Sequence, residues 1–148
     1  MSTTDLDLDA APAVVYRHLL ALDDKEFNRL MAEQDSRDKL IDALVAHFAT
    51  LVRPDKTKGV DAVIHVKLWD RPGGGYDHRE LVIHDGSCVA SPTPSHEPRL
   101  TLKVRPEDLR AIVSGKAGPK RLALRGKLRV LGDIPFGLKL TEFFDLST

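Results

Sequence analysis

The feature that most constrains this chain is a change of hydrophobic period near residue 58. Before it, apolar residues recur every three to four positions; after it they alternate. A helical stripe must find a surface to cover, and an alternating strand offers one apolar face to be covered. The chain is therefore read as helices packed on one face of a sheet rather than as a doubly wound fold.

Within the first part, residues 13–22 place Val14, Val15, His18, Leu19 and Leu22 at helical spacing, with Pro12 in the first turn. Residues 1–11 are polar and read as frayed. Asp23 or Asp24 can cap a short helix carrying Phe27, Leu30 and Met31. Asp35 or Ser36 can cap a longer one with a stripe of Leu40, Ile41, Leu44, Val45, Phe48 and Val52, ended by Pro54.

The second part opens with a strand over 60–69, where Val60, Ala62, Ile64, Val66 and Leu68 share one face. A glycine-rich loop over 70–77 leads to a strand over 78–84, and Asp85-Gly86 is a hairpin turn into a strand over 87–91. Setting Lys67 against Glu80 pairs opposite charges. It puts Val66 opposite Leu81 and Ile64 opposite Ile83, with His65, His78, Glu80 and His84 on the polar face; His65 and His84 are then diagonal neighbours. Across the hairpin, Ile83 pairs with Cys88 and Leu81 with Ala90, both pointing inward. A proline-rich loop over 92–98 precedes a strand over 99–105 bearing Leu100, Leu102 and Val104. A helix from Pro106 carries Leu109, Ile112 and Val113 and stops at Gly115. A last strand over 122–130 alternates Leu122, Leu124, Leu128 and Val130 with basic residues, and a helix from Pro135 presents Phe136, Leu140, Phe143 and Phe144.

Composition narrows function. Twenty-two basic and 22 acidic residues give a net charge of zero, against the basic excess usual in nucleic-acid binders. The single cysteine, Cys88, forms no internal disulfide, as expected in a reducing compartment. The N-terminal Met1-Ser2-Thr3-Thr4-Asp5 lacks a signal peptide's apolar core, no run nears the roughly 18 apolar residues of a membrane span, and the C-terminus is not a peroxisomal address. A cytoplasmic protein is expected.

The last third carries motifs in a specific order: Leu100-Thr101-Leu102, Pro106-Glu107-Asp108-Leu109 and Ser114-Gly115-Lys116, then 125–133 (Arg-Gly-Lys-Leu-Arg-Val-Leu-Gly-Asp) and Gly137-Leu138-Lys139-Leu140. This order resembles the sterol carrier protein 2 family, over roughly residues 36–146. Ile134-Pro135-Phe136 departs from the small residues usual before the terminal helix. The resemblance implies a two-layer α+β fold: a five-stranded, mostly antiparallel sheet, helices on one face, and an apolar cavity between the layers. It implies residues 1–35 as an N-terminal helical extension and 36–148 as the lipid-binding domain. It implies binding, and transfer, of a sterol, fatty acid, acyl-CoA or similar apolar molecule without catalysis or cofactor, and transient contact with a membrane surface. The alternative is an accessory domain that mediates oligomerisation or shields a partner enzyme's hydrophobic substrate. Oligomeric state stays open.

The candidate cavity set is Ile64, Val66, Leu81, Ile83, Cys88, Leu102, Val104, Ile112, Leu128, Phe136, Leu140, Phe143 and Phe144; the same residues would equally form a close-packed core. Lys103, Arg125, Lys127 and Arg129 are expected on the sheet's solvent face, where they would contact anionic headgroups or simply solubilise it. No metal site is expected among His65, His78 and His84, since no Cys or His pair has structural-zinc spacing. Gly73-Gly74-Gly75 joins two strands and is not a phosphate loop, and no nucleophile motif is present, so no catalytic residue is named.

Overall fold

The computed structural model describes residues 7–147; the expectations for residues 1–6 lie outside it. Eight helices and five strands follow one another as α1 (Pro12–Leu20), α2 (Asp24–Met31), α3 (Gln34–Thr50), α4 (Pro54–Thr57), β1 (Asp61–Leu68), β2 (Asp77–His84), β3 (Ser87–Ser91), β4 (Leu100–Val104), α5 (Pro106–Val113), α6 (Pro119–Leu124), β5 (Leu128–Gly132), α7 (Ile134–Gly137) and α8 (Leu140–Phe143) among these residues. The strands make one sheet in the order β3-β2-β1-β4-β5. β1 and β4 run parallel and the other neighbours antiparallel, so the sheet is mixed.

Alternation decides the faces. Ala62, Ile64, Val66, Leu68, Leu81, Ile83, Leu100, Leu102, Val104 and Leu128 are buried under the helices, in one cluster with the α3 stripe. Helix α3 lies against β2 and β3, and α1, α2 and α5 lean on α3. The N-terminal helices are tied in by Arg110 of α5. It donates to the carbonyls of Leu19 and Leu22 and to Asp24, while its guanidinium lies 4.1 Å from the Phe27 ring centroid. Asp23 caps α2 by accepting from the Glu26 N–H.

Several boundaries differ from the sequence reading. Helix α1 ends at Leu20, not Leu22. Helix α3 starts at Gln34 after Glu33, without a side-chain cap from Asp35 or Ser36. Ser36 instead donates to the carbonyls of Leu30 and Glu33. Pro54 opens α4 rather than ending α3, four residues after the helix has stopped. The β1–β2 register is two residues from the expected one: His65, not Lys67, faces Glu80; Lys67 faces His78, Val66 faces Arg79 and Ile64 faces Leu81. A two-residue offset leaves every side chain on its own face, so alternation cannot distinguish the two registers. The β2–β3 pairing is as expected, Ile83 to Cys88 and Leu81 to Ala90. Asp85 and Gly86 both take positive φ, which fixes that short turn.

The largest correction lies over 119–132. Residues 122–124 are helical, in α6, and β5 starts only at Leu128. Pro119 sits in the first turn, and Gly126 ends the helix at φ +72°, with the Lys127 N–H bonded back to the Leu122 carbonyl. Leu122 and Leu128 mimic one alternating strand because both turn inward, but they belong to different elements. The expected single C-terminal helix is two short ones, α7 and α8, interrupted at Leu138 and Lys139. Asp133 starts α7 by accepting from the Phe136 N–H and is held by Arg99 at 2.9 Å.

Candidate functional site

An apolar cleft opens where α6, β5, α7 and α8 meet. Pro119, Lys120 and Ala123 form one wall, Leu128 and Val130 the floor, and Ile134, Gly137, Leu138, Leu140 and Thr141 the other wall. Its volume is about 220 Å³. Gly137 brings α7 close to the sheet: a Cβ there would lie 3.1 Å from Val130 Cγ1 and 3.2 Å from Leu100 Cδ1. Leu138 and Ile134 sit at the cleft yet stay exposed, at 71% and 48%, and Leu124, beside Ala123, is 84% exposed. The other flank of α6 borders a groove of about 570 Å³ lined by Lys116, Arg121 and Arg125 together with Leu146 and Ser147.

The expected cavity residues are distributed around this cleft. Leu128 and Leu140 line it. Phe136 and Phe143, 5.2 Å apart between ring centroids, line a neighbouring groove with Arg99 and Lys139. Ile64, Val66, Leu81, Ile83, Leu102, Val104, Ile112 and Phe144 are buried together in the core cluster, and Cys88 packs half-buried against it. Burial pushes the Cys88 thiol up to about 12, so it stays protonated. Of the basic residues, Lys103 and Arg129 face each other across β4 and β5, with Lys103 over the Tyr76 ring. Arg125 instead follows α6, and Lys127 precedes β5, because the strand starts later than expected. The α6 wall, with Pro119 and Ala123, was hidden from the sequence reading by the strand assigned to 122–130. Its signal is a proline followed by a glycine stop.

On the opposite face of the sheet, Glu80 is 1% exposed and collects hydrogen bonds. Its carboxylate accepts from the Ser95 and His96 N–H groups at 3.1 and 2.9 Å, and the rings of His65 and His96 lie at 3.2 and 3.0 Å. His78 Nε2 is 2.8 Å from His65 Nδ1, and His84 pairs with Asp61 instead of neighbouring His65. Burial and the neighbouring His65 and Lys67 push the His78 pKa down. Among the described residues no group of three or more His, Cys, Asp and Glu is placed to hold a metal ion. Burial alone would raise the Glu80 pKa, but the His96 ring, the His96 and Ser95 N–H groups and His65 outweigh it and bring it to about 2. The carboxylate thus pins the 92–98 loop to the sheet. A depressed carboxylate stabilises the fold fully above its ordinary value of 4.5, and the contribution is lost as pH falls toward 2. Glu80→Gln is therefore expected to flatten the acid limb of stability between those values, read as thermal midpoint against pH. Parallel curves for variant and parent would show that the loop contacts do not hold the charge.

Two further polar groups lie on the helix side. Arg37, 2% exposed, pairs with buried Asp77, and Arg79 reaches Asp42 at 2.7 Å and Asp38 at 3.2 Å. They fasten α3 to β2.

Among the described residues, no helix is long and apolar enough to cross a membrane. The family model described as the SCP-2 sterol transfer family matches residues 27–145. No curated protein matches the sequence. Among solved structures, the apo sterol carrier protein 2 from Yarrowia lipolytica is similar at 19% identity and TM-score 0.52, covering 72% of this chain and 88% of that one. The palmitated SCP2L2 from Aedes aegypti is similar at 19% identity and TM-score 0.52, covering 66% of this chain and 85% of that one. The stereoselective inverting sec-alkylsulfatase Pisa1 from Pseudomonas sp. is similar at 21% and TM-score 0.56; 73% of this chain is covered but only 16% of the sulfatase. At such identities the likeness is one of fold.

Proposed function

The chain belongs to the SCP-2 sterol transfer family, and from that premise we propose that it binds and carries an amphipathic lipid, with the apolar tail in the cleft between α6 and α7. The observation that carries this is the cleft itself: carbon-lined walls, a floor on the sheet, and lysine and arginine on the flanks of α6. A fatty acid or acyl-CoA suits this arrangement better than a wholly apolar molecule, since its anionic end would meet those cations. The palmitated Aedes relative supports a fatty acid. The 220 Å³ cleft is smaller than the roughly 300–1,000 Å³ of small-molecule sites, so α7 and α8 must shift outward for a full tail. Short helices at a sheet edge are suited to such local opening.

In this reading Leu128 and Leu140 contact ligand first, and the inner set from Ile64 to Phe144 is reached as the cleft deepens. Arg125 and Lys127 are the headgroup contacts, with Lys103 and Arg129 farther along the sheet. Residues 1–35 serve as a helical extension bracing the 36–148 lipid-binding unit through Arg110, and the protein works in the cytoplasm without catalysis. The likeness to one part of the Pisa1 sulfatase favours a second reading, an accessory domain that shields a partner enzyme's substrate.

A fluorescent fatty-acid probe tests the first reading. The parent protein is expected to bind it, and Ala123→Phe, which fills the cleft from an exposed position, to weaken it at least tenfold with an unchanged thermal midpoint. A parent protein that binds no fatty acid, acyl-CoA or sterol probe overturns the lipid reading. Full binding by Ala123→Phe moves the ligand elsewhere.

A further inference from the structure

The two edges of the sheet differ. The β5 edge is flanked by α6 and α7, whereas β3 ends the order β3-β2-β1-β4-β5 with one side unpaired. The tight turn at Asp85 and Gly86 makes His84 and Ser87 a hydrogen-bonded pair. Alternation from there directs the main-chain groups of Ser87, Val89 and Ser91 toward β2 and those of Cys88 and Ala90 outward. Among the described residues no main-chain bond from another element reaches Cys88 or Ala90. Natural sheet edges are blunted by charge, proline, a bulge or a covering element. Residues 86–95 carry no charged side chain, the first proline comes only after the strand, at Pro92, and Val89 is 63% exposed. We propose that β3 pairs antiparallel with β3 of a second copy of this chain, about a two-fold axis at Val89, to make a ten-stranded sheet.

The strand is complementary to itself. A two-fold contact requires β3 to match its own sequence read backwards, which a strand from another protein would not. Ser-Cys-Val-Ala-Ser does so about Val89: Ser87 meets Ser91, Cys88 meets Ala90, and Val89 meets Val89. A centre at Val89 pairs all five strand residues and sets the outward groups of Cys88 and Ala90 against each other. Both faces keep their character across the join. On the open face Val63, Val82 and Val89 are lateral neighbours across β1, β2 and β3, so the second copy extends a row of three valines to six. On the helix face the row from Leu81 to Ala90 continues into Cys88 and Ile83 of the second copy. The α6–α7 cleft lies at the opposite edge of the sheet, so pairing leaves both clefts open and does not depend on what they hold.

A five-residue pairing buries less than the roughly 1,200 Å² of stable complexes, so a weak dimer is expected, dissociating near about 100 μM. Sedimentation velocity of the full chain should move from monomer toward dimer as its concentration passes through that range. Val89→Lys sets like charges face to face at the axis and is expected to weaken the dimer at least tenfold, with an unchanged thermal midpoint because the site is exposed. Cross-linking reads the register. In a Cys88→Ala background, Val89→Cys places two thiols on a non-hydrogen-bonded pair with Cα atoms about 4.5 Å apart, within disulfide reach, and a disulfide-linked dimer is expected under mild oxidation. Ser87→Cys in the same background places them four residues out of step, roughly 13 Å apart along the strands, and should stay monomeric. A protein that remains monomeric to about 1 mM, a dimer that Val89→Lys leaves intact, or equal cross-linking of the two cysteine variants overturns the proposal.

Discussion

Arg37→Ala is expected to remove about 3–5 kcal/mol of folding stability, the usual cost of leaving one member of a buried ion pair behind. Arg37 reaches from the first turn of α3 across the helix–sheet interface. Its Nε donates to the Asp77 carboxylate, and its two terminal nitrogens donate to the carbonyls of Asp70 at 3.2 Å and Trp69 at 2.6 Å. It therefore satisfies the first two residues of the 69–76 loop that follows β1 and the first residue of β2 together. With the guanidinium gone, Asp77, 4% exposed, keeps a hydrogen bond from Gln34 at 3.0 Å and a looser approach by Arg71 at 3.8 Å. Those contacts do not replace the buried charge it faced. Urea unfolding measures the loss. Arg37→Met/Asp77→Leu is expected to recover most of it, since a buried pair replaced by apolar residues of similar volume is often neutral. A cost below about 1 kcal/mol for the single variant, the level of an exposed pair, would show that the pair is open to water in solution.

Phe144→Ala is expected to cost a similar amount, about 3–5 kcal/mol, and to act on the lipid site as well as on stability. Phe144 is 0% exposed and meets Phe48 of α3 edge-to-face at 4.9 Å between ring centroids. Around it the C-terminal segment is stitched to the α3–α4 junction: the Arg53 N–H donates to the Phe143 carbonyl at 2.7 Å, and the Asp145 N–H to the Leu51 carbonyl at 2.8 Å. These bonds anchor the far end of α8 while α7 borders the cleft. Loosening that anchor should let α8 swing away, lowering both the unfolding midpoint and fatty-acid probe affinity at temperatures where the protein is still folded. Loss of stability with probe affinity unchanged would separate the anchor from the site.

The elements that could be read from the sequence share one property: each is specified by residues close together in the chain. The α3 stripe from Leu40 to Phe48 is helical because those side chains must share a face within one element. The β2–β3 register follows from Asp85-Gly86, since a two-residue turn permits one pairing. Where two segments are joined by a longer loop, as between Leu68 and Asp77, the alternation still assigns faces but not offset, and a plausible Lys67–Glu80 pair pointed two residues away from the observed register. Over 119–130 alternation was misleading, because Leu122 and Leu128 turn inward from a helix and a strand. With α6 hidden, one wall of the cleft was hidden too.

The sequence by itself determined the architecture: helices on one apolar sheet face, with the family's motifs in order along the last third. Hydrophobic burial is read out residue by residue from periodicity, and it acts before any distant contact is made. Tertiary structure decided where the polar groups close. Glu80 lies under Ser95 and His96, and Asp77 faces Arg37 forty positions earlier. It also decided that the cleft opens at α6 and α7, where two of the thirteen expected cavity residues, Leu128 and Leu140, line it while most of the others are tightly buried. Such partners and voids depend on the meeting of segments far apart in the chain, and no local pattern records which residues will meet.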